Sequence, residues 1–429
     1  MQFTKVKYFN YIYFSERMSV SHISEKNIVF AMIKVVGKFF LFFSYSITVS
    51  IKNIKHVFSR NKIVFYVISK NNYSSVQPVY EKLPVNTRVI FADRVFDKNV
   101  PLFLPVIVAA LFSFIFFPQV LYHYFNCSKE ERERFKKGVS DILISYPFYY
   151  TSYLWFKVMN PKGIVISNDH VYSTRVLVFW AKKFNIPSFY IQHASVTENF
   201  PVLEMEYAFL EGEDAKIKYV LAGSNPDKIQ LVGIPKLDCA YSKINYNKRI
   251  KTIGVASNGL ESSGGVIDMI FFLVTQFPDI KIVYRPHMSQ YYDKQSKIEL
   301  NSVFNRMPKD VFISNPLKEP VIDYLAQLDC MIAGDSSIHL EAVMLNINCI
   351  YFSQSSQYFD YYGYVKNGLI EYAKNYEELR KIIINLKNDR QFVRYKSKKY
   401  CSTVETEFDG KSADLVASLL MNKVLTKIK

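Results

Sequence analysis

The stretch DCMIAGDSSIHLEAVMLNINCIYF, residues 329 to 352, decides how the rest of the chain is read. CMIA (330–333) is a short, wholly apolar run of strand length. IHLEAVML (338–345) carries a helical pattern, and INCIYF (347–352) reads as the next strand. A strand, a helix and a second apolar strand describe a β-α-β unit whose parallel sheet is buried on both faces. The polar cluster Gly334-Asp335-Ser336-Ser337 then sits where a strand's carboxyl end becomes a helix, which is where open α/β sheets bind ligands.

The same alternation extends upstream. TIGVAS (252–257), IKIVYRP (280–286) and VFIS (311–314) read as strands. GGVIDMIFFLVTQF (264–277), QYYDKQSKIELNSVF (290–304) and EPVIDYLAQL (319–328) read as the helices between and after them. The first half repeats the pattern over 62–92 and 163–191, each as strand, helix, strand. Between the halves, 228–251 reads as a last strand, a Gly-Ile-Pro turn and a basic connector. The expectation is an α/β chain of two Rossmann-like domains facing a cleft. Residues 1–240 form the first domain, 250–405 the second, and 406–429 a helix packing back on the domains.

Composition narrows the class. The 429 residues suit two domains, and 49% hydrophobic content supplies two cores. The formal net charge of +16 favours polyanions. Nucleic acid is not expected, because the chain carries no zinc-finger spacing, no basic helix beside a zipper and no aromatic RNP-type strand. Five scattered cysteines without a C-x-x-C read as reduced structural thiols. No cleavable signal peptide is evident.

Three apolar patches interrupt the first half. PLFLPVIVAALFSFIFFPQV (101–120) has no charge and is long enough to span a bilayer as a helix. KFFLFFSYSITVSI (38–51) follows Lys34 and opens on Lys38, and ISYPFYYTSYLWF (144–156) is rich in aromatics. A single span between two β-α-β units of one sheet would divide that sheet across the membrane. Interfacial or re-entrant contact and a buried core helix are therefore weighed ahead of a spanning helix, and Pro101, Pro105 and Pro118 favour short or kinked helices. A basic chain with such patches suits an anionic inner leaflet.

Polar residues gather at five strand ends: SND (167–169), QHAS (192–195), SNGLESSGG (257–265), RPH (285–287) and GDSS (334–337). Each has a plain structural reading. Asn168 and Asp169, or Ser336 and Ser337, can cap the helices that follow, and His287 can be a satisfied structural histidine. Against that, five such ends share one edge of a doubly wound sheet. Backbone N–H groups at a helix start and in a glycine loop also bind anions.

These residues resemble the two-domain GT-B nucleotide-sugar glycosyltransferases of bacterial surface-polysaccharide synthesis. The nearest group contains capsule Kdo transferases, bacterial sialyl- and polysialyltransferases, and CDP-glycerol glycerophosphotransferases. IPSFYIQHAS is similar to the strand ending in Gln-His-Gly, with Ala194 for the glycine. The run ending GIPKLD matches Gly-x-Pro-x-x-Asp at Gly233, Pro235 and Asp238. YRPHMS and DCMIAGDSSIHLEA are similar to the His-Pro and Ser-Ser…Glu motifs, with Met288 where the proline stands.

The resemblance implies a C-terminal half that holds the donor. Arg285 and His287 would contact phosphate, and Ser336 and Ser337 would hold phosphate at the helix start, while the glycine loop with Ser257, Asn258 and Gly259, read from its own residues, would add an anion nest for the donor. Glu341 would hold ribose or sugar hydroxyls. Gln192, Glu211 and Asp214 would lie on the acceptor side. A transfer base is needed near the reacting carbon. His193 comes first, for an imidazole's ordinary pKa, then Asp169, then Glu211 or Asp214. No metal and no cofactor are expected beyond a CMP-, CDP- or UDP-linked co-substrate. The implied partners are that donor, a lipid-linked glycan acceptor of O-antigen or capsule type, and the anionic membrane at the cytoplasmic face of the bacterial inner membrane. A glycerophosphotransferase using CDP-glycerol and a non-catalytic membrane-peripheral scaffold are the alternatives. A 2-epimerase of nucleotide sugars shares the fold, and a more soluble, less basic chain is expected of it.

Overall fold

The computed structural model describes residues 28–50, 59–97, 99–198, 200–257, 263–292, 294–353 and 358–428. The first half runs α1 (Ile28–Ser50), β1 (Ile63–Val67), α2 (Lys70–Lys82), β2 (Arg88–Ala92), α3 (Leu104–Phe112), α4 (Phe117–Asn126), α5 (Lys129–Lys137), α6 (Val139–Met159), β3 (Gly163–Ile166), α7 (Tyr172–Lys183), β4 (Ser188–Ile191), β5 (Tyr207–Leu210), α8 (Glu213–Leu221) and β6 (Ile229–Leu231). The second runs β7 (Thr252–Ala256), α9 (Ser263–Gln276), β8 (Lys281–Arg285), α10 (Lys294–Arg306), β9 (Phe312–Ile313), α11 (Val321–Leu325), β10 (Cys330–Ala333), α12 (Ile338–Met344), β11 (Asn348–Tyr351), β12 (Glu371–Tyr372), α13 (Tyr376–Asn388) and α14 (Ser412–Ile428).

Each half holds one six-stranded sheet, and every pairing is parallel. The orders are β2-β1-β3-β4-β5-β6 and β12-β11-β10-β7-β8-β9. The winding direction reverses between β1 and β3 in the first sheet and between β7 and β10 in the second. Those are the points where such sheets open a crevice at their carboxyl edge. Continuous apolar runs become central strands because both faces are covered. In β1, Val64 and Tyr66 enter the core beneath α6 and α7, while Ile63, Phe65 and Val67 pack under α2 and α14.

The chain therefore closes on itself. Ala413, Val416, Ala417, Leu420 and Val424 of α14 belong to the core of the first sheet. Its first turn is capped by Asp238, whose carboxylate accepts from the N–H groups of Ser412 at 2.9 Å and Ala413 at 2.7 Å. Gly233 makes this crossover possible. Its φ is +75°, and a Cβ there would lie 2.1 Å from Thr403 Oγ1 and 2.5 Å from Ser412 Oγ.

The charge-free run 101–120 is broken into α3, a 3-10 turn over Ser113–Phe116, and α4. Leu104–Asn126 remains long and apolar enough to cross a membrane. Its first piece is a core helix: Pro105, Val106, Ile107, Ala109 and Ala110 are buried, and α3 packs on α6 and α1. The turn and α4 face outward. Phe114, Ile115, Tyr122 and Phe125 are exposed, as are Phe30, Ile33, Phe40 and Leu41 of α1, and Phe40 stacks on Phe114 with ring centres 6.2 Å apart. The run is thus part core and part exposed apolar face. All five cysteines are free, and Cys330, Cys349 and Cys401 are buried.

Candidate functional site

A cavity of about 130 Å³ opens between the two sheets. It is lined by Asn71 from the start of α2, His193 to Ser195 after β4, Glu211 after β5, Ile234, Lys236 and Leu237 of the crossover, and Ser337, Leu340 and Glu341 of α12. Asn71 and Ser337 stand at the carboxyl ends of β1 and β10, so both winding reversals deliver residues to one space.

Glu211 is fully buried at the end of β5 and held from behind. Gln192 Nε2 donates to its Oε2 at 3.0 Å, and the Glu211 N–H donates to Gln192 Oε1 at 3.0 Å. Burial pushes its carboxyl up to about 7, against a smaller downward pull from Lys236 and an upward push from Glu341. Lys236 faces both carboxylates, and its Nζ lies 3.4 Å from Glu341 Oε1. Burial disfavours the ammonium, but Glu341 and then Glu211 outweigh it and hold its pKa above the ordinary lysine value. Lys236 of the crossover thus pairs with Glu341 beside the second sheet and acts through its charge on Glu211 of the first.

His193 lines the same cavity. Burial pushes its imidazole down to about 4, opposed by Asp169. The ring is therefore neutral at pH 7, and its Nδ1 has no protein partner among the described residues. Ser195 Oγ and Tyr364 OH, 2.7 Å apart, join the two halves at the cavity rim. Neutral imidazole, carboxylate, ammonium, hydroxyl and amide groups over the apolar floor of Ile234, Leu237 and Leu340 suit a small polyhydroxylated group better than a bare diphosphate.

Other sequence candidates are engaged elsewhere. Arg285 is buried, donating Nη1 to Ser314 Oγ at 2.6 Å and Nη2 to the Glu319 carbonyl at 2.9 Å, with its guanidinium 5.1 Å from the Tyr324 ring centre. His287 caps the 3-10 turn Met288–Tyr291, its Nδ1 2.7 Å from Ser289 Oγ. Asp214 pairs with Lys218 at 2.5 Å. Asp169 lies against His170 Nδ1 and accepts from Tyr219 OH at 3.3 Å. Asn168 caps the turn into α7, accepting from the His170 and Val171 N–H groups. Ser257 Oγ meets Tyr284 OH at 3.0 Å, and Ser336 Oγ lies 3.5 Å from the Ile338 N–H. Asn258 and Gly259 lie outside the described residues.

Of the sequence candidates, the structure brings His193, Glu211, Ser337 and Glu341 together at the cavity, with Gln192 directly behind. Lys236 and Asn71 were not singled out in the sequence. The signal for Lys236 was its place inside GIPKLD, between the turn glycine and the helix-capping Asp238.

No family model matches the chain, and no curated protein matches it. Solved structures do. UDP-GlcNAc 2-epimerase from Neisseria meningitidis, bound to UDP-GlcNAc, superposes with a TM-score of 0.55 at 11% identity over 84% of this chain and 100% of that one. The UDP-GlcNAc 2-epimerase of Methanocaldococcus jannaschii, in complex with UDP-GlcNAc and UDP, gives 0.51 at 13% identity over 84% and 99%. The wall teichoic acid polymerase TagF gives 0.50 at 13% identity over 86% and 90%. The chain thus has two parallel-sheet α/β domains arranged as in GT-B-type enzymes.

Proposed function

We propose that the chain is a glycosyltransferase that moves a sugar from a nucleotide-activated donor to a hydroxyl of a lipid-linked or growing bacterial surface glycan. One observation carries this reading: a buried carboxylate with a pKa of about 7 and a neutral imidazole share a cavity with Lys236 and Glu341 at the winding reversals of both sheets. Transfer to a hydroxyl needs a base whose pKa is near the working pH. Glu211 meets that condition, and His193 is placed to orient the acceptor oxygen. In the step itself, the acceptor oxygen bonds to the donor carbon and its proton passes to Glu211. The carbon–oxygen bond to phosphate breaks, and its electron pair leaves with the nucleotide.

Docking on the cytoplasmic face of an anionic inner membrane belongs to the same reading. The exposed faces of α1 and of the Ser113–Asn126 segment are apolar, carry Lys34 and Lys38, and have no acidic residue. A second reading, glycerophosphoryl transfer from CDP-glycerol, draws on the likeness to TagF. In a non-catalytic scaffold the cleft groups would all satisfy one another. Arg285, His287 and Asp214 do so, whereas Glu211 and His193 keep perturbed protonation at an open cavity.

Calorimetric titration with CMP, CDP, UDP and GDP tests the reading, alongside an assay for 2-epimerisation of UDP-GlcNAc. Saturable binding of one nucleotide without epimerisation supports a transferase, and CDP selectivity favours the glycerol phosphate variant. Epimerisation would replace the transferase reading. No binding would leave the scaffold.

A further inference from the structure

Lys236 is a cation of the cavity that also holds carboxyl groups from opposite halves of the molecule, and its ammonium pairs with Glu341. It sits on the crossover segment, just after the left-handed turn at Gly233 and just before the Asp238 cap, so its backbone is anchored at both ends. A lysine stem has four rotatable bonds and a compact, non-directional charge, so a small swing exchanges one carboxylate partner for another. In the empty cleft the ammonium lies beside Glu341.

Resting on the transferase reading above, we propose that Lys236 is a positioning residue that couples donor binding to the base. A donor whose hydroxyls engage Glu341 releases the ammonium toward Glu211. That carboxylate is thereby ionised and made ready to take the acceptor's proton.

The surroundings leave few other routes for this coupling. Among the described residues, the charged groups acting on Glu211 are Lys236 from the crossover and Glu341 from α12. His193, after β4, is neutral at pH 7. Tyr190, Tyr364 and Cys401 also feel Glu211, but burial raises each of them, so they remain neutral and supply no counter-charge. Gln192 holds Glu211 from behind whichever protonation state it adopts, because its amide both donates to the carboxyl and accepts from the backbone N–H. A carboxyl poised at about 7 is half protonated at pH 7, so a nearer ammonium expels up to about half a proton. In the resting state only about half of the molecules carry the ionised base at pH 7.

The test is the number of protons released on nucleotide binding. It is read as the difference in calorimetric heat at pH 7 between two buffers of unlike ionisation enthalpy. The probe is whichever of CMP, CDP, UDP and GDP the wild-type chain binds. Wild type is expected to release about 0.3 to 0.5 proton per nucleotide more than Glu211→Gln does. Lys236→Met is expected to lose that excess, Lys236→Arg to keep most of it, and Glu341→Gln to abolish it by freeing Lys236 before the donor arrives. Glu211→Gln and Glu341→Gln preserve side-chain shape, so the test stands even if Lys236→Met fails to fold. Equal proton release by wild type, Glu211→Gln and Glu341→Gln would overturn the coupling while leaving the transferase reading in place. Failure of the wild type to bind any of the four nucleotides would overturn both.

Discussion

Replacing Glu211 by Gln has a pH signature that follows from its burial. The carboxyl titrates near 4.5 in the unfolded chain and at about 7 in the folded one. A raised acid pKa means that the folded state holds the proton more tightly. Stability from this group is therefore fully present below pH 4.5 and is lost as the pH rises through 7. Fully expressed, this corresponds to about 3 kcal/mol, most of which falls between pH 5 and pH 8. That is a large fraction of a typical domain's net stability. Glu211→Gln removes the titration and keeps the shape, and its side-chain oxygen can still accept from Gln192 Nε2. The stability difference between variant and wild type is expected to grow in the variant's favour by about 2 to 3 kcal/mol from pH 5 to pH 8. Urea unfolding followed by circular dichroism at several pH values measures it. Other titrating groups, Asp141 at about 6 among them, are common to both proteins and cancel. A difference that stays flat across this range would mean that Glu211 is ionised in the fold, and the assignment of the base would fall with it.

His193 should show the opposite sign. Its pKa is lowered from 6.5 to about 4, so its contribution is present above pH 6.5 and lost as the pH falls toward 4. Its ring proton resonances are expected to stay unchanged between pH 6 and pH 8, and a midpoint near 6.5 would contradict its burial. Gly233→Ala forces both a left-handed φ and an overlap with Thr403 and Ser412, so a loss of at least about 2 kcal/mol is expected in thermal or urea unfolding. Flotation with phosphatidylglycerol vesicles should recover the full chain, and the paired change Phe114→Asp and Ile115→Asp should reduce recovery severalfold. Equal flotation of both proteins would remove this face from the docking surface.

The architecture was legible in the sequence because its cause is local. Strand segments buried on both faces must be apolar throughout, and CMIA, IGVA and IVY announce themselves for that reason. The Pro-punctuated run 101–120 likewise declared its breaks, though only packing against α1 and α6 decided which part is core and which faces outward. β5, only four residues long, and α13 were not assigned from the sequence. The site was legible only in part. Sequence shows that Arg285 stands at a strand end, but not that Ser314, Glu319 and Tyr324, from 29 to 39 positions on, would take its guanidinium. Nor does it show that a lysine in a basic connector would become the cation of the cavity. Such choices rest on which groups distant in sequence come within a few ångströms, and on how much water each loses there. The chain by itself determined two parallel α/β sheets with polar carboxyl ends. Tertiary structure alone decided that Glu211, Lys236 and Glu341 meet, because that meeting depends on the Gly233 turn and on the return of α14 to the first sheet.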